Sequence, residues 1–352
     1  MVLGIIIRLT MNRRTFSASL LSLPLAAQPQ TRLKAAFLGL QHSHAFDKLR
    51  LVQAHPRYTL AGAWEPDPAV RANYKKLPPF PWLSKDAILN DPSISAIFIQ
   101  SEVKTHGPLA LDALRAGKHV HIEKPPSETL AEFQQIVQIA RSKNLRLQTG
   151  YMWRFNPAVA RAVEAAQKGW LGDIYHIHAR MNTLIDARSR PEWNLFSGGQ
   201  MFEQGAHLTD IIVRILGKPA KITSFLRHDG AFNDTLKDNT AAVFEYPRAF
   251  ALLVSSVLQP GAGRHRTLEI LGSKGSAIVR PIEPPSLEID LTESAGPYQQ
   301  GHQKVALPPY QRYTGDIDEL AAALLDGKPM LVSLDQELAI QETLLRASLM
   351  LP

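Results

Sequence analysis

From residue 33 to residue 149, short apolar runs alternate with longer stretches whose apolar positions recur every three to four residues. The runs at 33–38, 58–64, 96–100, 119–122 and 145–149 read as strands buried on both faces. Helical periodicity fills residues 45–55 and 108–116, the latter closed by Gly117, and a further helix starts at Thr129. Thr129 with Glu132 has the spacing of a capping box, and Phe133, Ile136, Val137 and Ala140 form the apolar stripe behind it. Glu65-Pro66-Asp67-Pro68 and Pro125-Pro126 stop two of the strands abruptly. Strands alternating with helices predict an α/β fold, with a doubly wound parallel sheet of the Rossmann type over residues 32–150.

The pattern then changes. Asn156-Pro157 caps a helix that runs to Lys168 and closes at Gly169. Alternating segments follow at 174–183, 220–227, 240–246, 250–258, 266–271 and 276–280. They are joined by turns such as Tyr246-Pro247-Arg248 and Gly272-Ser273-Lys274-Gly275. Such a succession predicts a large, mostly antiparallel, open sheet. Helices at 205–215, 314–325 and 334–350 would complete an α+β domain over residues 151–352, serving substrate and oligomer contacts. Residues 281–311, rich in Pro, Gln and Gly, carry no readable pattern.

Composition narrows the function. The chain has 352 residues, 45% hydrophobic and 20% charged, enough for two ordinary folded domains. Its net charge of +7 is dispersed and nowhere interleaved with aromatics, so no nucleic-acid partner is expected. No apolar stretch is long enough to span a membrane. Arg13-Arg14-Thr15-Phe16, the apolar run at 17–25 and Ala26-Ala27 resemble a twin-arginine signal peptide over residues 1–27, with Met11 a candidate start. That signal implies an exported protein, periplasmic or extracellular. The absence of cysteine excludes disulfides, zinc–thiolate sites and thiol catalysis.

The first strand-to-helix turn reads Gly39-Leu40-Gln41-His42-Ser43-His44-Ala45. In a dinucleotide fold this turn meets the pyrophosphate, and its glycines let the backbone approach. Gly39 holds the first of the three usual glycine places, while Gln41 and His44 occupy the other two. Glu65 ends the second strand, where a carboxylate can hold both ribose hydroxyls and repel a 2′-phosphate. NAD is therefore favoured over NADP, a preference that nearby Arg71 would soften. Three H-x-H pairs stand out: His42/His44, His119/His121 and His176/His178. Spacing supplies none of them with a third ligand, so no metal is expected.

Three stretches resemble the glucose–fructose oxidoreductase and inositol dehydrogenase (Gfo/Idh/MocA) family. They are Ala116-Gly117-Lys118-His119-Val120-His121-Ile122-Glu123-Lys124-Pro125, Gly150-Tyr151-Met152-Trp153-Arg154-Phe155-Asn156-Pro157, and Gly198-Gly199-Gln200-Met201-Phe202-Glu203-Gln204-Gly205-Ala206-His207-Leu208-Thr209-Asp210. With the first domain included, the resemblance runs from about Leu33 to Pro352. It implies hydride transfer between a nicotinamide, NAD or NADP and often tightly bound, and a sugar-like secondary alcohol. It also implies a homodimer or homotetramer built through the open sheet. By position Lys124 is the family's active-site lysine, often beside a cis proline, here Pro125. His207 matches the proton-transfer histidine, and Glu203 stands where most members have aspartate. Ser101, His106 and Glu123 fall on the nucleotide side.

The chemistry is consistent with these assignments. An imidazole titrates near neutrality and can take the hydroxyl proton, while a lysine cation favours a developing alkoxide. Glu203 and His207, four apart, would share a helix face, so that the carboxylate could orient the ring. Trp153, Arg154 and Asp210 are candidates for lining the substrate side. Two other readings keep the fold: glycoside cleavage through transient oxidation, elimination and addition, and non-catalytic binding of nucleotide or sugar. Release of aglycone without net cofactor change would mark the first. Binding without turnover would mark the second.

Overall fold

The computed structural model describes residues 32–351, so the signal read at 1–27 lies outside the described residues. The first half alternates β1 (Leu33–Leu38), α1 (Ala45–Ala54), β2 (Tyr58–Trp64), α2 (Pro68–Ala72), α3 (Lys85–Asn90), β3 (Ala96–Ile99), α4 (Val103–Arg115), β4 (His119–Ile122), α5 (Leu130–Ser142) and β5 (Leu147–Thr149). The five strands pair in parallel in the order β2-β1-β3-β4-β5. Helices cover both faces, which is why β1 and β3 are apolar at nearly every position. The chain runs from β1 out to β2 and returns to β3 on the other side. A crevice therefore opens at the carboxyl ends of β1 and β3, where ligands bind in such sheets.

Two local details depart from expectation. α4 begins at Val103, five residues before Pro108, which lies inside the helix. Proline is favoured as a first helical residue, where its missing N–H costs nothing, but here it occupies the second turn. Only half of the box at α5 forms, with Thr129 Oγ1 accepting from the Glu132 N–H at 3.3 Å. A full capping box instead starts the last helix, at Ser333 and Gln336.

The second half comprises α6 (Pro157–Gln167), β6 (Ile174–Arg180), α7 (Arg190–Trp193), α8 (Gly199–Glu203), α9 (Gly205–Leu216), β7 (Lys221–Arg227), β8 (Asn239–Glu245), β9 (Phe250–Ser256), β10 (Thr267–Gly272), β11 (Gly275–Val279), β12 (Leu287–Leu291), β13 (Gly301–Lys304), α10 (Thr314–Leu325) and α11 (Leu334–Ala347). Eight strands form one sheet in the order β13-β12-β11-β10-β6-β9-β8-β7. All pairs are antiparallel except β6 with β9. β12 and β13 lie within the stretch that carries no readable pattern. In β12, Leu287, Ile289 and Leu291 face the core while Glu288 is exposed, an alternation too short to stand out between prolines and glycines.

α6 and α9 cover one face of this sheet through Val159, Val163, Leu208, Ile211 and Ile212. α10, expected to complete this second layer, does not. Its stripe of Ile317, Leu320 and Ala321 packs with Phe37, Leu49 and Phe98 of the first sheet and α1. The Tyr58 hydroxyl donates to the Ile317 carbonyl there at 2.9 Å. α11 joins Ile340, Leu344 and Leu345 to Phe202, Ala206 and Val213 of α8 and α9.

Candidate active site

The turn after β1 is built around Gly39, whose φ is +74° and whose missing Cβ would overlap Ser101. Glu65 reaches the turn from the end of β2. Buried completely, its carboxylate accepts from Leu40 N–H (2.8 Å), Asp67 N–H (2.9 Å) and Gln41 Nε2 (3.1 Å). The carboxylate expected to hold the ribose braces the turn as well, because two backbone amides nearby need an acceptor. Gln41, at a lost glycine place, leans onto that brace. Arg71 donates from Nε to the Glu65 carbonyl, and its guanidinium lies 5.2 Å from the ring centre of Trp82.

Two cavities flank the turn. One of about 270 Å³ is lined by Leu40, Gln41, His42, Ser43 and Tyr74. The other, of about 500 Å³, is lined by Gln41, His42, Ser43 and Glu102 from the first half and by Trp193 and Glu203 among others from the second. No side chain caps the amino end of α1, where His44 is the N-cap residue. A left-handed glycine, an uncapped helix end and a groove on each side fit a dinucleotide's pyrophosphate.

Beneath the turn lies a buried polar network. Glu123, at the end of β4, accepts from Lys48 Nζ, from His44 Nδ1 at 3.1 Å and from the Lys124 N–H at 3.2 Å. Lys48 also pairs with Asp316 (3.1 Å) and meets His121 Nε2 (2.7 Å). His121 Nδ1 in turn meets Gln148 Oε1 at 2.6 Å. Burial alone would push Glu123 up, but Lys48, His44 and His42 hold it well below the usual carboxylate range. Burial likewise penalises Lys48, yet Glu123 and Asp316 raise it above its ordinary value. Sequence reasoning missed Lys48, Gln148 and Asp316. The available signal was Lys48 itself, a charge on the buried stripe of α1 beside Ala45, Leu49 and Val52.

Lys124 follows Glu123 and is joined to Pro125 by a cis peptide bond. Its Nζ contacts Glu203, donating to the carbonyl at 3.0 Å and to Oε1. A residue just past the carboxyl end of β4 thus meets one from α8. The expected alignment of Glu203 with His207 on one helix face does not occur. The helix breaks at Gln204 between α8 and α9, and Glu203 turns to Lys124. His207 sits at the start of α9, buried, its ring tilted over Trp153 with centroids 5.1 Å apart and edge-on to Tyr151 at 6.0 Å. Its Nδ1 has no partner among the described residues. Burial, and then the Lys124 cation, lower its pKa well below the ordinary 6.5.

Several candidates are placed elsewhere. Arg154 and Asp210 do not line the cavity but pair with each other (2.9 and 2.7 Å), and Arg154 also binds Glu337 (2.6 and 2.9 Å), all three buried. Two carboxylates so placed need a cation more than a substrate does. Trp153 backs His207 rather than facing the cavity. His106 is fully buried and bridges the carbonyls of Pro125 (2.8 Å) and Ser101 (3.0 Å), tying the lysine loop to the end of β3. The Ser101 hydroxyl turns to the Glu102 carbonyl at 3.1 Å.

Known proteins share this fold. The family described as the oxidoreductase family with an NAD-binding Rossmann fold (GFO/IDH/MocA) matches residues 33–151, and its C-terminal domain matches 159–278. Trans-1,2-dihydrobenzene-1,2-diol dehydrogenase of Mus musculus is 28% identical over 211 residues, 58% of this chain and 60% of its own length. The scyllo-inositol 2-dehydrogenase (NAD(+)) of Bacillus subtilis strain 168 is 27% identical over 198 residues, 54% of this chain and 57% of its own. The chain thus spans somewhat over half the length of these relatives. The structure of GenD2 from gentamicin A biosynthesis, in complex with NAD, has the same fold. Its TM-score is 0.73 at 22% identity, covering 93% of this chain and 97% of that one.

Proposed function

The chain belongs to the Gfo/Idh/MocA oxidoreductase family, and from that premise we propose that it transfers a hydride between a nicotinamide dinucleotide and a secondary hydroxyl of a sugar, sugar derivative or cyclitol. One observation carries the reading. Lys124, at the carboxyl end of β4 in the nucleotide-type sheet, meets Glu203 of α8 at the cavity that the phosphate turn lines, close enough to His207 to depress its pKa.

The nicotinamide, when bound, accepts or returns the hydride. The remaining work falls to this chain's own groups. Lys124 Nζ leaves Glu203 to donate to the reacting oxygen, where its charge stabilises a developing alkoxide. His207, neutral and fixed between Tyr151 and Trp153, takes the hydroxyl proton. Glu203 holds Lys124 in place until substrate arrives.

Hydrogen bonds from neutral amides do not cancel a carboxylate's charge, so Glu65 still repels a 2′-phosphate at the end of β2. NADH is therefore expected to bind at least about tenfold more tightly than NADPH, a difference of about 1.4 kcal/mol or more. Fluorescence titration of each reads this out, and equal or tighter NADPH binding would refute it. For the reaction itself, a panel of hexoses, amino sugars and inositols is followed by nicotinamide absorbance. Lys124→Ala and His207→Ala are expected to lower kcat/KM by about 10²–10⁴-fold with NADH binding retained. Turnover at the parental rate in either variant sinks the assignment.

A further inference from the structure

The histidine pair of the phosphate turn lacks a third ligand in the sequence, but the fold supplies one from a strand far along the chain. One ligand atom from each of His42, His44 and Glu123 lies within 4.8 Å of the others. Glu123 Oε2 is 3.1 Å from His44 Nδ1 and 3.8 Å from His42 Nδ1. Neighbouring donors on a tetrahedral ion with bonds of 2.0–2.1 Å stand about 3.3 Å apart, so the His44–Glu123 spacing already fits one coordination sphere and His42 must close on Glu123 by about half an ångström to join it. The other carboxylate oxygen, Oε1, is held by Lys48, itself paired with Asp316. Ligating carboxylates are oriented by such outer contacts. The Glu123 side chain is fully buried, and those of His42 and His44 are 7% and 12% exposed. His42 also lines the cavity of about 500 Å³, which gives an ion a path in and an open side.

We propose that His42, His44 and Glu123 bind one divalent transition-metal ion of the Zn²⁺ class, with its remaining coordination position facing the cavity. Two imidazoles and a carboxylate, with no thiolate, suit zinc and its borderline neighbours, whereas magnesium and calcium take oxygen ligands alone. Three protein ligands and one open position are the stoichiometry of a reactive site, not of a closed structural one. The ion replaces the His44 Nδ1 contact to Glu123 and the bond that the His44 N–H donates to His42 Nδ1 at 3.2 Å. The Lys124 N–H remains on Glu123 Oε2 and the Lys48 cation on Oε1. Seated there, the ion places positive charge at the turn where His44 stands in place of a glycine. It would take an anionic or carbonyl oxygen from whatever fills the cavity.

The test uses the full chain without a histidine tag, stripped with a chelator and titrated calorimetrically with Zn²⁺. Co²⁺ is then added as a spectroscopic surrogate. One ion per chain and a tetrahedral Co²⁺ spectrum are expected. His42→Ala and His44→Ala should each weaken Zn²⁺ binding by about 100-fold or more. The double variant His176→Ala/His178→Ala, which removes the H-x-H pair on β6, should bind as the parent does. Circular dichroism checks that each variant folds. If Glu123→Gln unfolds because Lys48 keeps only Asp316, the histidine variants decide alone. Failure of the stripped protein to take up Zn²⁺ overturns the proposal, as does uptake abolished only by the β6 variant. Nucleotide is absent throughout, so either result leaves the hydride-transfer reading to its own test.

Discussion

Burial sets the chemistry of His207. Packed on Trp153 and shut from water, its imidazole cannot readily carry charge, and Lys124 opposes protonation further. The base form is therefore present at every pH above a folded-state pKa that lies well under 6.5. For alcohol oxidation, kcat/KM should stay flat as the pH falls through 6.5, and its acid limb should appear only below that. A limb at or above 6.5 would contradict the burial argument. Lys124→Met removes the second cause, so its residual activity should show the limb displaced upward. The same shift is a stability term. Below 6.5 the unfolded chain binds a proton at this position that the folded chain refuses. The contribution is thus complete above 6.5 and is lost on acidification, by about 1.4 kcal/mol per pH unit until the folded pKa is reached. Urea midpoints at pH 7.5 and about pH 5.5 should converge more in His207→Gln than in the parent.

At the scale of elements, Arg154 separates structural from substrate roles. It ties the turn after β5 to Asp210 on α9 and Glu337 on α11, entirely out of solvent. Arg154→Ala strands buried Glu337 and leaves Asp210 only the more distant Arg214 at 3.8 Å, and should cost about 3–5 kcal/mol in urea unfolding. The KM for sugar in the surviving folded fraction should stay within about twofold. A large KM rise with unchanged stability would restore the substrate role that its motif suggests. Adjacency to a motif says nothing about where a side chain points. Legibility elsewhere obeyed the same physics. β1 and β4 could be bounded from sequence because burial on both faces leaves a run with sharp ends, whereas the half-exposed edge strand β2 was bounded by the Glu65-Pro66-Asp67-Pro68 stop. β12 and β13 could not, since short strands between prolines offer too few alternations. The Glu203–His207 pairing failed because helical spacing assumes an unbroken helix, and the backbone resets at Gln204. Glu123 as a third ligand was invisible, since only the β1–β3–β4 strand order brings it under His44.

At the scale of the molecule, the last two helices strap the parts together. α10 closes the core over β1 and β3, and α11 lies between α5 and the α8–α9 pair, so the described residues form one compact unit. α10 also carries Asp316, the second partner of Lys48, and Glu319, which accepts from Gln148 Nε2 at 2.6 Å. Removing everything after residue 312 would therefore open the apolar floor of the first sheet and leave the buried lysine with one carboxylate instead of two. Such a chain should fail to fold. The less drastic Ile317→Ala should cost about 2–5 kcal/mol, as a buried isoleucine truncation does. That variant also tests whether the two sheets unfold together. Trp64 and Trp82 report on the first sheet, and Trp153, Trp170 and Trp193 on the rest. With the strap shared, fluorescence and far-ultraviolet circular dichroism should move together in a single transition in both the parent and Ile317→Ala. Two resolved transitions, the earlier belonging to the first sheet, would mean that α10 covers that sheet without coupling it to its neighbour.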